Sequence, residues 1–193
     1  MSEAALGGRV AVVTGGGRNI GRAIALALAA DGAAVVVGAR SDQAAADAVA
    51  AEIEAAGGRA VPHLADVADE AKVAGLADAA IAAFGRIDIL VNNAAIRARQ
   101  TLAETSLADW HAVMGVILDG AFLCARAISP HMIAAGGGRI VNIGGLSGHT
   151  GDEARAHVVA AKAGLVGLTR ALAVELAPHG ITANCVVPGT IDT

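Results

Sequence analysis

The sequence predicts an α/β chain built on a doubly wound parallel sheet of strand order 3-2-1-4-5-6. Three observations carry that prediction. Short, near-continuous runs of Val, Ile, Leu and Ala alternate with longer amphipathic stretches, and these runs lack the polar–apolar alternation of half-exposed strands. A glycine-rich turn also separates the first run from the first helical stretch. Strands covered by helices on both faces read as unbroken apolar runs, and strict β-α-β alternation with right-handed crossovers leaves few topologies open.

In order, the strands are expected at 10–13, 34–37, 60–64, 89–91, 139–143 and 182–187. The helices are expected at 20–30, 43–56, 70–84, 107–135 and 154–177. Ser106 followed by Asp109 reads as a capping box opening the fourth helix. Gly32, Gly57, Gly85, Gly136 and Gly180 each follow a helix end, where a left-handed residue closes the last turn. No linker, low-complexity tract or repeat interrupts the pattern, so residues 1–193 are read as one domain.

The chain has 193 residues, 55% of them hydrophobic, and a net charge of −4. That balance, with no Lys/Arg cluster, argues against nucleic acid as a partner. No apolar run reaches the ~20 uninterrupted residues of a membrane span. The start lacks a basic-then-apolar signal pattern, so a cytoplasmic protein is expected. Cys124 and Cys185 read as small core residues, and nothing suggests a metal site. The chain contains no tyrosine.

Thr14-Gly15-Gly16-Gly17-Arg18-Asn19-Ile20-Gly21 lies between the first strand and its helix. Glycines there let backbone approach a pyrophosphate, and the helix N-terminus stabilises its charge. With this loop go Asp66-Val67 after strand three, Asn92-Asn93-Ala94-Ala95 after strand four, Arg139-Ile-Val-Asn-Ile-Gly144, and Lys162-Ala-Gly-Leu-Val-Gly-Leu-Thr-Arg. Last comes Pro188-Gly189-Thr190-Ile191-Asp192-Thr193. Taken together and in this order, these motifs resemble the short-chain dehydrogenase/reductase family over almost the whole chain, especially its 3-oxoacyl-[acyl-carrier-protein] reductase-like members. The resemblance implies a Rossmann-like fold and a nicotinamide cofactor. It implies cofactor contacts from Gly15, Gly17, Arg18, Asn19, Ile20, Gly21, Asp66, Val67, Asn93, Ala94, Lys162, Pro188, Gly189, Ile191 and Thr193. Asn19 replaces the family's middle glycine; asparagine tolerates the left-handed region and is also a good N-cap.

An NAD-preferring site places a carboxylate at the end of strand two. Here that position is Ala39, followed by Arg40 and Ser41. Arg40 and Arg18 can converge on a 2′-phosphate through charge-assisted bonds, so NADP(H) is expected rather than NAD(H).

The resemblance implies a catalytic Asn, Ser, Tyr and Lys. Lysine is present as Lys162. The matching positions for tyrosine, serine and asparagine hold Val158, Gly145 and Ile117, none of which can exchange a proton. His157 is a substitute general acid by sequence adjacency. Ser147 and His149 lie in the loop expected at the substrate mouth, where Asp152 and Arg155 can pair. The family's substrate lid and seventh strand follow the Pro-Gly segment, and this chain, ending at Thr193, is expected to lack them.

Three functions fit. The first is an NADP(H)-dependent oxidoreductase of a small carbonyl or alcohol with a divergent site. The second is a reductase of a conjugated bond, since 2,4-dienoyl-CoA reductases also lack the usual tyrosine. The third is a non-catalytic NADP(H)-binding subunit. The resemblance also implies a homo-oligomer, or a hetero-oligomer with an active relative, formed through helices 107–135 and 154–177.

Overall fold

The computed structural model describes residues 5–191. Six strands, β1 (Val10–Val13), β2 (Ala34–Ala39), β3 (Arg59–Leu64), β4 (Ile89–Asn92), β5 (Gly138–Ile143) and β6 (Ile181–Val186), form one sheet. Their order is β3-β2-β1-β4-β5-β6, as the alternation predicts, and every pairing is parallel. Between them run α1 (Asn19–Ala30), α2 (Gln43–Ala55), α3 (Glu70–Phe84), α4 (Leu107–Met114), α5 (Gly120–Ala134), α6 (Ser147–Thr150) and α7 (Ala156–Leu176).

Side chains alternate across a strand, and this splits the core in two. Ala11 and Val13 of β1 join Val35, Val37, Ala25 and Ile53 on the face covered by α1 and α2. Val12 points the other way, into a cluster with Val36, Leu90, Ile140, Leu76 and Ile128 under α3 and α5. A one-residue slip of β1 would exchange these faces, so the two cores fix the register.

At the amino end of the sheet, Asp88 is buried and receives Arg9 at 2.8 Å, Arg86 Nε at 2.8 Å and the Val10 amide at 3.0 Å. Burial alone pushes this carboxyl up, but the bonds from Arg86, Arg9 and Val10 outweigh it and hold it below the ordinary carboxylate range.

The helix expected over 107–135 is a correction. It is interrupted by a π-turn at Gly115–Asp119, where the Gly120 amide donates to the Gly115 carbonyl. The extra residue lets the backbone at Gly120 press onto the segment after β3. A Cβ on Gly120 would lie 2.7 Å from a Val67 methyl. The last long helix starts at Ala156 rather than 154, because Ala154 adopts a left-handed φ of 54°. The loop before it contains the unexpected short helix α6. The Ser106 box forms as expected: Ser106 Oγ accepts from the Asp109 amide and Asp109 Oδ2 accepts from the Ser106 amide.

Two stretches, Leu107–Ala134 and Ala156–His179, are long and apolar enough by length and mean hydropathy (1.7 and 1.3) to cross a membrane. Abundant alanine raises that average without a continuous apolar run, and buried core helices pass the same measure. Ile128 and Leu176, one from each stretch, lie in the same core as Val12 of the sheet.

Candidate functional site

The strand order reverses between β1 and β4, and the crevice at their carboxyl ends is where open α/β sheets bind ligands. The glycine loop is there. Gly15 takes a left-handed φ of 63°, and a Cβ on Gly21 would lie 2.1 Å from the Gly15 carbonyl oxygen and 2.5 Å from Asn93 Nδ2. Only hydrogen fits at Gly21, so the first turn of α1 closes tightly onto the end of β1.

Asn93 and Thr14 hold this arrangement. Asn93 Nδ2 donates to the carbonyls of Thr14 (3.0 Å) and Gly15 (3.1 Å). Thr14 Oγ1 accepts from the amides of Asn93 (3.0 Å) and Ala94 (3.1 Å) and donates to Val91 O. Thr14 was missed by sequence reasoning about chemistry, although its place between the apolar run and the glycines was a signal.

Asn19 adopts φ 50° as the first residue of α1, so its left-handed tolerance is used. Its expected alternative role as N-cap is not: Arg18 is the N-cap, extended, and makes no side-chain capping bond. Among the described residues no side chain caps the start of α1, which holds Ile20 and Gly21, and an uncapped helix start fits an anionic pyrophosphate.

Arg18, Arg40 and Ser41 are exposed. Gly17 packs against the first turn of α2, with a built Cβ 3.3 Å from Ala45 Cβ. The nearest carboxylate after Arg40, Asp42, is committed to capping α2 through the Ala45 amide at 3.0 Å. Asp66 is half-buried, its Oδ1 accepting from the Ala68 amide, and Val67 is buried against Gly120.

Lys162 of α7 is buried, and its Nζ donates to the Ile143 carbonyl at 2.5 Å. Burial pushes its ammonium down to about 8, and electrostatic coupling to Cys185 opposes that only in part. Cys185 itself is half-buried, unlike the fully buried Cys124. One turn before the lysine, Val158 lies in an apolar cluster with Ile117, Val113, Ala121, Ala161 and Leu165. Gly145 lies beside the lysine: a Cβ there would stand 3.9 Å from Lys162 Cγ, an ordinary contact.

His157 is wholly buried, and neither ring nitrogen has a hydrogen-bond partner among the described residues. Five residues before Lys162, it leaves α7 about 140° away from the lysine around the helix. Ser147 is half-buried and His149 exposed, both in α6. Asp152 and Arg155 pair at 2.8 Å. The Leu146 amide donates to Pro188 O, tying the loop after β5 to the closing segment. Gly189 and Ile191 are exposed beyond it, and Thr193 lies outside the described residues.

A buried polar ladder also escaped sequence reasoning. Asn92 Nδ2 donates to Asn142 Oδ1, and Asn142 Nδ2 donates to Thr169 Oγ1, each at 2.8 Å; Thr169 Oγ1 donates to Leu165 O. The pairing of Asn92 with Asn142 in register across β4 and β5 was the available signal. Asn92 lies among Thr14, Val67, Ala94, Ile117 and Ala121, where the structure leaves no room for a water molecule.

Residues 9–193 match the family model described as short chain dehydrogenase. The chain is 47% identical to a 3-oxoacyl-[acyl-carrier-protein] reductase of Synechocystis over 98% of its own length and 76% of the relative's. It is 44% identical to the (2S)-[(R)-hydroxy(phenyl)methyl]succinyl-CoA dehydrogenase subunit BbsD of Thauera aromatica, covering 96% and 74%. A crystal structure described as a short-chain alcohol dehydrogenase from Sinorhizobium meliloti superposes with a TM-score of 0.95. It is 41% identical and is matched over 99% of this chain and 75% of that one.

Proposed function

The chain belongs to the short-chain dehydrogenase family, and on that premise we propose that it is an NADP(H)-dependent oxidoreductase interconverting a carbonyl and an alcohol at a divergent, largely apolar site. The observation that carries this reading is the close fit of Gly21 to Gly15 and Asn93, alongside a retained, buried Lys162. The first positions the uncapped start of α1 for a pyrophosphate; the second supplies an ammonium for the nicotinamide ribose. Arg40 and Arg18 would take the 2′-phosphate, a role favoured by Asp42 being engaged in its helix cap. When bound, the nicotinamide supplies or accepts hydride. The protein's part is to hold it, keep water from the reacting carbon and manage one proton.

Similarity to the Synechocystis reductase makes a 3-oxoacyl thioester the first carbonyl to try. A soluble cytoplasmic homo-oligomer completes the reading, by likeness to the family. One observation favours a second reading, a non-catalytic NADP(H)-binding subunit. Two positions where the family carries polar catalytic groups, Ile117 and Val158, have joined a single apolar cluster, and the Thauera relative is itself called a subunit.

Titrating the protein with NADPH and NADH, followed by turnover of a 3-oxoacyl thioester, tests the proposal. Tighter NADPH binding with slow reduction is expected. Binding with no turnover on any carbonyl favours the subunit, and absence of binding to either cofactor removes both readings.

A further inference from the structure

We propose that Lys162 itself delivers the proton to the substrate oxygen, taking the chemical place of the missing phenol. The inference rests on the oxidoreductase reading above and on how the side chains around the amine are arranged. Lys162 Nζ is anchored by one bond to Ile143 O, and an ammonium has three donors, so two remain for ligands. Two positions beside the amine, Gly145 and Val158, carry no hydroxyl, and the Ser147 hydroxyl lies 3.8 Å from where a Cβ on Gly145 would stand. Gly145, alongside the lysine stem, has no side chain, and Val158, one turn earlier on α7, is short and turned into the apolar cluster of Ile117 and Leu165. Gly148 packs its backbone against the stem from α6, where a Cβ would lie 2.9 Å from Lys162 Cβ. From β6, the Cys185 thiol is the titratable group coupled to the amine. The amine is therefore held by its bond to Ile143 O, with neither Gly145 nor Val158 supplying a hydroxyl to its two remaining donors.

The remaining question is whether a lysine is acidic enough. An unperturbed ammonium is a poor donor near neutrality, but burial pushes this one down to about 8, where general acids work best. The step balances. With a reduced nicotinamide as the hydride source, a C–H bond forms at the carbonyl carbon and the C=O π pair moves to oxygen. An Nζ–H bond of Lys162 breaks as the O–H bond forms. The neutral amine then regains its proton from water, and the reverse sequence oxidises an alcohol.

The chain has only two lysines, Lys72 and Lys162, which makes the test direct. In protein whose amines are reductively methylated with ¹³C, NMR should show two lysine titrations beside that of the α-amino group. The Lys162 signal should move near pH 8, identified by its absence in Lys162→Arg, with exposed Lys72 as internal reference. In unmodified wild-type protein saturated with NADPH, kcat/KM for ketone reduction should fall about tenfold per pH unit above that value, as loss of a protonated acid requires. Lys162→Arg keeps charge and donors but cannot release a proton; it should retain NADPH binding and lose turnover by ~100-fold or more. A flat pH profile from 7 to 9.5, or Lys162→Arg turning over like wild type, overturns the proposal while leaving the cofactor reading intact. Failure of the wild type to bind NADPH overturns both. A Lys162 signal unmoved below pH 9.5 overturns the donor role even if the arginine variant does not fold.

Discussion

Ile117 of the π-turn and Val158 of α7 lie in the same apolar cluster, and these are the two positions we propose as replaced polar catalytic groups. The two apolar side chains suit each other. A polar side chain at either position alone would be left facing Val113, Ala161 and Leu165 without a partner, at a cost of about 1–3 kcal/mol. The backbone around them keeps the interrupted helix and the Lys162–Ile143 bond.

The glycine loop gives a steric prediction with its own control. Gly21→Ala places a methyl 2.1 Å from the Gly15 oxygen and should destabilise the protein by about 1–3 kcal/mol while abolishing NADPH binding. Gly145→Ala meets only ordinary contacts and should leave the urea midpoint within experimental error. Equal effects of the two substitutions would show that the loop is not closed as described.

Arg40→Ala should weaken NADPH binding by about 1.5–3 kcal/mol, the range for a hydrogen bond to a charged group, and leave NADH affinity nearly unchanged. Paired titrations of both cofactors check this. A loss common to both would assign Arg40 to the shared part of the nucleotide, or to the fold.

Asp88 predicts acid sensitivity. Its folded carboxyl sits below the ordinary 3.8, so the unfolded chain binds more protons as pH falls past that value. Its stabilisation is therefore fully present above about pH 5 and is lost as pH falls through the depressed value. Asp88→Asn leaves Arg9 and Arg86 without their carboxylate and should cost about 3 kcal/mol at neutral pH. The difference in thermal stability from wild type should then shrink toward pH 2. A difference independent of pH would contradict the assignment.

Much of this was legible in the chain. The strand runs, the Ser106–Asp109 box and the glycine loop are local signals, each set by a few adjacent residues, and all three appear where the sequence places them. The π-turn was not legible, because Val113, Ile117, Ala121 and Cys124 continue a helix-like spacing straight through it. Nor was the anchoring of Lys162, since the carbonyl it reaches lies nineteen residues earlier, on another element. The burial of His157 likewise depends on how α7 packs, which adjacency to Val158 does not reveal. Local backbone chemistry is written in neighbouring residues, whereas the reach of one side chain to a distant carbonyl is not.

We propose that the nucleotide half of the site is intact while its chemical half has been rebuilt. The most direct test is ketone turnover at saturating NADPH by the triple variant Ile117→Asn, Gly145→Ser, Val158→Tyr, against wild type. Space for the serine is present at Gly145, and circular dichroism identifies folded variant. The account predicts a rise in kcat of ~10-fold or more, because a phenol and a serine hydroxyl then reach the substrate oxygen in addition to the Lys162 ammonium, with NADPH affinity little changed. A folded, NADPH-binding triple variant no faster than wild type, or a wild type already as fast, would contradict it.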